Sequence, residues 1–409
     1  MKSERRRAFS RQLLCKGGEK LKIRRAGKRD KKKLRELYGE IYGADYPLEI
    51  IKEAKVLDQC LSSRNYFWPV MVFENELIGS LIFEREDDQG LAKVFGAVIR
   101  PDWQGYDLMR RAIIVGLDFL ADIGAPIDVV YATTRTVSPA PEKLVRRIGF
   151  KTLGVFPNVR KVKDYETHGL NVLFRKGALE KRLRKPRLVP EVRDLYEIAR
   201  DICELEDEAV IEPLDIPAPE PRDLCFRLIQ DPVRVKKRFS IAFEQGELKF
   251  SFFPFHDPTI LLRSDDGESE LFINHNTYDN YGTIVGLKSN RQDTTGLLCQ
   301  SCDAARQLGL KYVELLVSAF DPVKQRQALD AHFIPCAYFP ALKPVEAGRR
   351  MDYIVFSRSF EALDFTEIKI SGDGRRFLDA FMKCWYWHLL KDEPDYTDWD
   401  ALASPDLDD

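Results

Sequence analysis

The sequence predicts an α/β protein with a mixed sheet, in which one arrangement of elements occurs twice along the chain. Short apolar strand patterns alternate with amphipathic helix patterns, and the first half reads β–α–α–β–β–β–α–β–α–β–β. In addition, three dipeptides recur at a constant separation of 183 positions, which indicates an internal repeat. The pairs are Ser138-Pro139 with Asp321-Pro322, Gly149-Phe150 with His332-Phe333, and Phe156-Pro157 with Phe339-Pro340.

The first half begins with a strand pattern at residues 20–27 and a helix for which Asp30 is a suitable N-cap. A second helix is predicted over 48–61. A hairpin follows at 68–73 and 77–86, and then a largely apolar central strand at 92–101. Apolar residues at helical spacing from Leu108 predict a helix that Gly124 ends. A strand at 128–136, a helix to Ile148 and two closing strands complete this half.

The second half shows a related series of patterns, which leads to a division of the chain into five segments. Strands are predicted around Leu261 and Leu271 and at 282–287, and helix and strand patterns then alternate to about residue 357. The aromatic run near Trp385 predicts an amphipathic docking helix. The segments are a basic arm (1–19), a first domain (20–179), a helical and Pro-rich linker (180–233), a second domain (234–390) and an acidic tail (391–409).

Composition narrows the class of protein. Hydrophobic residues make up 44% and charged residues 32%, and no apolar run approaches the roughly 20 residues needed to span a bilayer. The eight cysteines are scattered, which favours a reducing, cytoplasmic compartment over a disulfide framework. The first 33 residues carry 15 Lys or Arg against 3 acids, which we interpret as a solvated arm. No aromatic-rich motif accompanies it, so neither nucleic acid nor a membrane is expected as a partner.

One segment carries a family resemblance. Residues 94–113, VFGAVIRPDWQGYDLMRRAI, place Pro101, Gln104 and Gly105 between an apolar strand and an amphipathic helix. This segment resembles the phosphate-binding motif of the GCN5-related N-acetyltransferase (GNAT) superfamily. The later stretch EKLVRRIGFKTLG resembles the closing helix and strand of the same superfamily. The resemblance covers about 160 residues and implies tandem GNAT-like domains, because the second half repeats the pattern without the phosphate loop.

The resemblance implies acetyl-CoA, or another acyl-CoA, as cofactor. Amides at a helix N-terminus capture phosphate, and a glycine lets the backbone approach it. Asp107 and Met109 depart from the family pattern, because glycine or alanine is usual there; the carboxylate adds a like charge and Met109 is expected to crowd the approach. The implied cofactor-binding residues are Ala97, Val98, Ile99, Gln104, Gly105, Tyr106, Asp107, Leu108 and Met109.

The resemblance also implies direct attack of an amine on the acyl group, so an acid and a base are needed. The tyrosine that often protonates the departing sulfur in this family is replaced by Val145. Tyr131 is a candidate proton donor in its place. Glu84, Glu86 and His168 are candidate bases. No metal site is predicted, and Cys299 and Cys302 are expected to pack in the core.

These observations predict an acyl-CoA-dependent N-acyltransferase with its substrate cleft between the halves. The acceptor is expected to be an amine on a small molecule or on a protein. Two alternatives remain open at this stage. Asp107 and Met109 are compatible with a lapsed, non-catalytic binding or regulatory protein, and the basic arm is compatible with an acyl carrier protein as partner, whose thiol would then be the acceptor.

Overall fold

The computed structural model describes residues 10–14, 20–43, 49–161, 165–214, 225–290, 294–370 and 372–389. The acidic tail, most of the basic arm and the Pro-rich part of the linker lie outside the described residues. Within these ranges, no helix is long and apolar enough to cross a membrane.

The first half follows the predicted order of elements. Leu34 and Leu37 are fully buried, which shows why the amphipathic pattern after Asp30 folds as a helix against the sheet. Its strands are β1 (Ser10–Leu14), β2 (Lys20–Arg25), β3 (Tyr66–Phe67), β4 (Pro69–Phe73), β5 (Glu76–Glu86), β6 (Leu91–Ile99), β7 (Val129–Arg135), β8 (Lys151–Lys161) and β9 (Tyr165–Phe174). Its helices are α1 (Lys31–Tyr42), α2 (Glu49–Lys52), α3 (Ala54–Ser62), α4 (Leu108–Asp122) and α5 (Ala140–Arg146).

The rest of the chain adds a connecting segment and a second series of elements. The connecting segment contains β10 (Arg187–Leu188), α6 (Arg193–Cys203) and β11 (Val210–Ile211). The later strands are β12 (Phe226–Ile229), β13 (Leu248–Phe250), β14 (Ile260–Ser264), β15 (Ser269–Asn276), β16 (Tyr281–Ser289), β17 (Tyr312–Ser318), β18 (Ile334–Pro344) and β19 (Arg350–Ser359). The later helices are α7 (Pro232–Glu244), α8 (Thr294–Gln307), α9 (Pro322–Asp330) and α10 (Asp373–Leu389).

The described strands other than β10 and β11 form one mixed sheet of 17 strands. The first half contributes them in the spatial order β1-β2-β4-β5-β6-β7-β9-β8. The second half continues in the order β18-β19-β17-β16-β15-β14-β12. Strand β3 pairs with β5, and β13 pairs with β16. The prediction of an α/β protein with a mixed sheet is therefore confirmed.

The halves join where β8 meets β18. Gly154 pairs with Ala337 in antiparallel orientation. A methyl group added at Gly154 would lie 2.1 Å from the Ala337 Cβ and 2.9 Å from the carbonyl oxygen of Cys336, so the approach requires glycine. Helices α6 and α10 both pack on β8 and β18, which covers this junction. The aromatic C-terminal run thus docks on the junction between the halves.

The strand order is the same in both halves. Residues 91–94 of β6 run parallel to 129–132 of β7, and residues 281–284 of β16 run parallel to 312–315 of β17. In both halves the later of these strands also pairs antiparallel with the last strand of its half, β9 or β19. Val129 and Tyr312, which open the two parallel pairings, are 183 positions apart. The repeat seen in the sequence is therefore a repeat of topology.

Two segments differ from the sequence interpretation, while the predicted domain boundaries remain a prediction. Part of the arm expected to be solvated forms β1, which pairs with β2, and Arg11 contacts Asp118 at 2.7 Å. The predicted linker contains the predicted helix, α6, but Leu195 and Tyr196 on it are fully buried in a core that both halves share. The buried Arg182 also contacts Asp352 of the second half, with Nε–Oδ1 at 2.9 Å. The connection is therefore packed into the structure.

Candidate active site

The central strands of the first half separate from each other at one end. The parallel pairing of β6 with β7 stops after Val94 and Ala132, and β7 continues along β9 alone. Strand β6 carries a bulge opposite β5, where Gly96 adopts a left-handed φ of 61°. No described strand pairs with residues 95–99 on the side facing β7. We call this opening, between residues 95–99 of β6 and 133–135 of β7, the first slot.

The predicted phosphate loop leads from the first slot into α4. Gly105 has a φ of 84°, and a Cβ built there would meet nothing within 4 Å. Tyr106 is 41% exposed, and Gln104 is exposed as well. Asp107 precedes α4 and makes no capping hydrogen bond, so the first amides of the helix stay available to a ligand. The loop thus presents a glycine and a helix N-terminus to solvent.

Asp107 and Met109 are the two positions at which the sequence departs from the family pattern. The Asp107 carboxylate lies 2.6 Å from Nη2 of Arg110, and this hydrogen bond, with Arg111 and Arg147 nearby, lowers the pKa of Asp107. Its charge is therefore compensated within the loop. The side chain of Met109 is only 9% exposed and belongs to the core under α4. The expectation that Met109 crowds the loop is wrong, because the helix turns it toward the sheet.

The second half has the same slot, but its own chain fills it. The pairing of β16 with β17 also stops after four residues, and β16 also carries a bulge opposite its neighbour, β15. Here β13 pairs with Leu287 and Lys288 of β16, on the edge that β17 leaves. Phe250 of β13 is 6% exposed. The second slot, between β16 and β17, is thus occupied by β13, whereas no strand in the described part of the chain occupies the first.

A cavity of about 70 Å³ lies between the halves beside the first slot. Thr133, the first β7 residue beyond the pairing with β6, lines it. A segment of the second half covers it: Phe255 packs on Tyr131 with ring centroids 5.7 Å apart, and its amide donates to Oε1 of Glu86 at 2.6 Å. The cavity is lined by Lys93, Tyr131, Thr133, Phe156, Val159, Arg160, His168, Leu170, Phe253, Pro254, His256, Tyr281, Glu314, Leu316, Phe339, Leu342 and Val355.

A row of polar side chains crosses the sheet toward this cavity. Tyr66, Glu84, Lys93 and Tyr131 are successive cross-strand partners on β3, β5, β6 and β7. The Tyr66 hydroxyl donates a hydrogen bond to Glu84. Burial raises the pKa values of Glu84 and Tyr131 and lowers that of Lys93. A carboxylate, an amine and a phenol thus stand side by side under low solvent access.

The remaining polar groups come from both halves. Arg160 Nη1 lies 2.6 Å from Oδ2 of the fully buried Asp279, and its guanidinium stacks 4.5 Å from the ring centre of Tyr281. His256 Nε2 lies 3.0 Å from the Tyr281 hydroxyl. Burial lowers the pKa of His168 to about 3, and its buried Nε2 has no hydrogen-bond partner in the described part of the chain. His168 is therefore a neutral imidazole with one nitrogen open to a ligand.

The structure brings together part of the predicted site. Tyr131 and His168 both line the cavity. Glu84 stands one strand further away, behind Lys93, and Glu86 contacts the covering segment. Ala97 is exposed in the first slot, Val98 is buried and Ile99 is half-buried, while Leu108 points into the core. Val145 is buried among apolar residues, so α5 supplies no proton donor at that position.

Four further cavity residues were missed in the sequence: Lys93, Arg160, His256 and Glu314. A signal existed for two of them. Lys93 is the one charge in the apolar strand LAKVFGAVI, and Glu314 is the one charge in YVELLVS. A charge inside an otherwise apolar central strand is costly to bury, and it points to a polar cavity. Arg160 carries no such signal, because it lies among other charged residues, and His256 carries none because the segment around it has no strand or helix period.

Comparison with known proteins returns acetyltransferases. The structure is similar to the ribosomal-protein-S5-alanine acetyltransferase from Vibrio fischeri, with 16% identity over 41% of this chain and 97% of that chain and a TM-score of 0.35. It is similar to RimL, the ribosomal L7/L12 alpha-N-protein acetyltransferase (18% identity, 42% and 98% covered, TM-score 0.34). It is also similar to Arabidopsis thaliana NAA60 in complex with acetyl-CoA (13%, 38% and 98%, TM-score 0.33).

These matches cover about 40% of the chain, in its N-terminal part. No family profile and no curated protein matches the sequence.

Proposed function

We propose that this protein is an acyl-CoA-dependent N-acyltransferase that transfers an acyl group, most simply acetyl, to an amine held between the halves. One observation carries the proposal: an open slot between two central strands adjoins a cavity lined by buried titratable groups. Thr133 belongs to both, since it lies on β7 beyond the pairing with β6 and lines the cavity. A ligand in the slot would therefore present its end to the cavity.

The residues present fit an acyl-CoA. The exposed Gly105 has open space where a Cβ would stand, and the uncapped amides that follow can bind a pyrophosphate. Arg110, Arg111 and Arg147 surround Asp107, so the loop carries net positive charge. Residues 97–99 would hold the pantetheine arm along β6. When bound, acyl-CoA would supply an activated thioester.

The side chains of the cavity provide for proton transfer. Burial holds the pKa of Tyr131 well above its usual value, so its hydroxyl keeps its proton at neutral pH and can donate it into the cavity. Neutral His168 offers Nε2 to a ligand, but its low pKa makes it a weak base. Glu84 has a raised pKa and remains a candidate base that acts next to Lys93. The covering segment around Phe255 excludes water from these groups.

The second half contributes to the cavity and binds no cofactor of its own in this proposal. Its slot is filled by β13, and Phe250 is buried there. The expected role of this half is to complete the acceptor site and to stabilise the first half through the common sheet. One acyl-CoA per chain is therefore expected.

Calorimetric titration with acetyl-CoA tests the proposal. The wild type is expected to bind one equivalent, and Gly105→Val is expected to abolish binding because a branched side chain disfavours the φ of 84° and fills the space beside the amides. Gly124→Val is the matched control, since Gly124 also has a positive φ of 65° and open space around its Cβ but ends α4 far along the helix. Unchanged binding by Gly105→Val would place the cofactor elsewhere.

Asp107→Gly sharpens the same test. Asp107 has a φ of 60°, which glycine adopts without strain, and its removal frees Arg110 for a phosphate. Affinity for acetyl-CoA is expected to rise about tenfold, which corresponds to roughly 1.4 kcal/mol. Asp107→Asn separates the charge from the backbone effect, because asparagine also tolerates this conformation. If the wild type does not bind but Asp107→Gly does, the chain is a lapsed acyltransferase.

A further inference from the structure

One cavity residue of the second half has no place in the proposed proton transfer. Glu314 lies in the middle of β17 and is 6% exposed. Among the described residues that line the cavity it is the one carboxylate, since Glu84 and Glu86 lie outside the lining. Burying a charged carboxylate costs free energy unless cations or hydrogen-bond donors compensate it. A buried carboxylate in a cavity therefore calls for a functional explanation.

The position of Glu314 is the counterpart of Tyr131 in the repeat. The two residues are 183 positions apart, and each is the third residue of the parallel pairing in its half, opposite Lys93 in one case and Thr283 in the other. Other lining residues are related by the same separation: Thr133 with Leu316, Phe156 with Phe339, and Val159 with Leu342. The cavity is therefore lined by equivalent residues of the two halves, with Tyr131 contributed by the first half and Glu314 by the second.

The surroundings of Glu314 are suited to a group that changes its protonation near neutral pH. Burial raises the pKa of Glu314 to about 7, against the opposing effects of Arg160, Tyr312 and Lys93. His168 and His256 line the same cavity, and burial lowers the pKa of each to about 3. Further titratable groups near Glu314 are Tyr131 on β7, Tyr281 on β16 and Cys336 on β18. Burial raises the pKa of each of these three, so all are neutral at pH 7.

We propose that Glu314 is the general base of the proposed N-acyltransferase, so that the second half supplies the proton acceptor and the first half, through Tyr131, the proton donor. This inference rests on the proposed function. As the acceptor nitrogen bonds to the acyl carbon and the carbon–sulfur bond breaks, Glu314 takes one proton from nitrogen and Tyr131 gives one to sulfur. The proton on Glu314 then returns to Tyr131 across the cavity, which restores both groups.

Glu84, the base candidate from the sequence, is less suited to this role. Its carboxylate accepts a hydrogen bond from Tyr66 and stands behind Lys93, outside the cavity lining. Substituting Glu314 and Glu84 one at a time therefore shows which of them acts as the base. With acetyl-CoA and whichever of ethanolamine, lysine and putrescine the wild type accepts, Glu314→Gln is expected to lower kcat/KM for CoA release at least about 100-fold, and Glu84→Gln much less. Glu346→Gln, on an exposed turn, is the control.

The pH dependence gives a readout that a merely structural role would not move. In the wild type, kcat/KM calculated for the unprotonated amine is expected to fall tenfold per pH unit below about pH 7, because Glu314 is then protonated. Glu314→Gln is expected to show no such fall in kcat/KM, and Glu314→Asp is expected to show it with a shifted midpoint. If Glu314→Gln keeps the wild-type rate and profile, Glu314 is not the base.

Infrared difference spectra between pH 5 and 9 test the same group without any substrate. A carboxylic acid band that titrates near pH 7 is expected in the wild type. It is expected to titrate with a shifted midpoint in Glu314→Asp and to be missing from Glu314→Gln. A spectrum of Glu314→Gln that matches the wild type overturns the proposal, whatever the activity. Failure of the wild type to bind acetyl-CoA would instead overturn the proposed function. If Glu314→Gln does not fold, the pH profile of kcat/KM and the infrared band of Glu314→Asp are compared with the wild type. An unshifted midpoint in both overturns the proposal.

Discussion

The two slots of this protein have the same geometry and different contents. In each half, two parallel central strands separate after four residues, and a bulge lies in the earlier strand. In the first half no described strand pairs along the opening, and Ala97 is exposed within it. In the second half β13 pairs along the open edge and Phe250 is buried there. The topology produces the slot, and a short stretch of sequence decides what fills it.

This difference teaches that a repeated fold need not carry a repeated site. An unpaired strand edge presents amides and carbonyls that need partners. In the proposed function the first half leaves them to a ligand, whereas the second half pairs them with its own strand β13. Filling a slot in this way makes it part of the core, so the second half gains packing at the place where we propose that the first half binds its cofactor.

The largest effect is expected from emptying the second slot. Phe250→Ala removes a buried aromatic ring that also contacts the Lys324 ammonium at 5.5 Å, and it is expected to cost about 3–5 kcal/mol of unfolding free energy. Phe243→Ala, at a ring that is 55% exposed, is the control for urea denaturation. Acetyl-CoA stoichiometry by calorimetry is expected to stay at one. Binding of a second equivalent would show that only β13 keeps the second half from acting like the first.

A smaller but still large effect is expected at the junction of the halves. Gly154→Ala places a methyl group against the backbone of β18, and it is expected to cost roughly 1–3 kcal/mol, measured as a shift in the denaturation midpoint. Gly169→Ala is the matched control, because its Cβ would have only ordinary contacts, the nearest at 3.5 Å. Equal stability of the two variants would mean that β18 leaves room for a methyl group at position 154.

The smallest effect is expected from the N-terminal arm. Deletion of residues 1–19 removes β1, which pairs only at the outer edge of β2 and places an exposed ion pair on α4. Exposed pairs contribute at most about 1 kcal/mol, so the melting temperature and acetyl-CoA affinity should both stay within a small margin of the wild type. Loss of either property would show that the arm is a required structural part of the first half and not a dispensable addition to it.

Much of the fold could be predicted from the sequence, because apolar periodicity reports which face of each element is buried. The helix from Leu108, the strand at 92–101 and the 183-residue repeat all correspond to elements of the structure. Short strands such as β12 and β13 were not predicted, because three or four residues are too few to show an alternating apolar pattern. The occupation of the second slot by β13 could therefore not be predicted from the sequence. The absence of a phosphate loop nevertheless already indicated that the second half binds no cofactor.

The candidate site could be predicted only in part, because a cavity between halves depends on tertiary contacts. Tyr131 and His168 were found through the family resemblance and do line the cavity. Glu314 lies 183 positions from Tyr131, and the repeat register alone could have drawn attention to it. The partnership of Arg160 with Asp279 spans 119 positions, and no local pattern indicates it.

The pairing of Gly154 with Ala337 also has a consequence for biosynthesis. The first half leaves the ribosome with β8, an 11-residue strand, as a bare outer edge, because its partner β18 is about 180 residues from being made. Residues 152–159 of that strand are buried in the finished protein. Until β18 arrives, this edge is open to other chains, and such edges promote aggregation. Truncated or prematurely terminated chains would thus be the species that most need a chaperone.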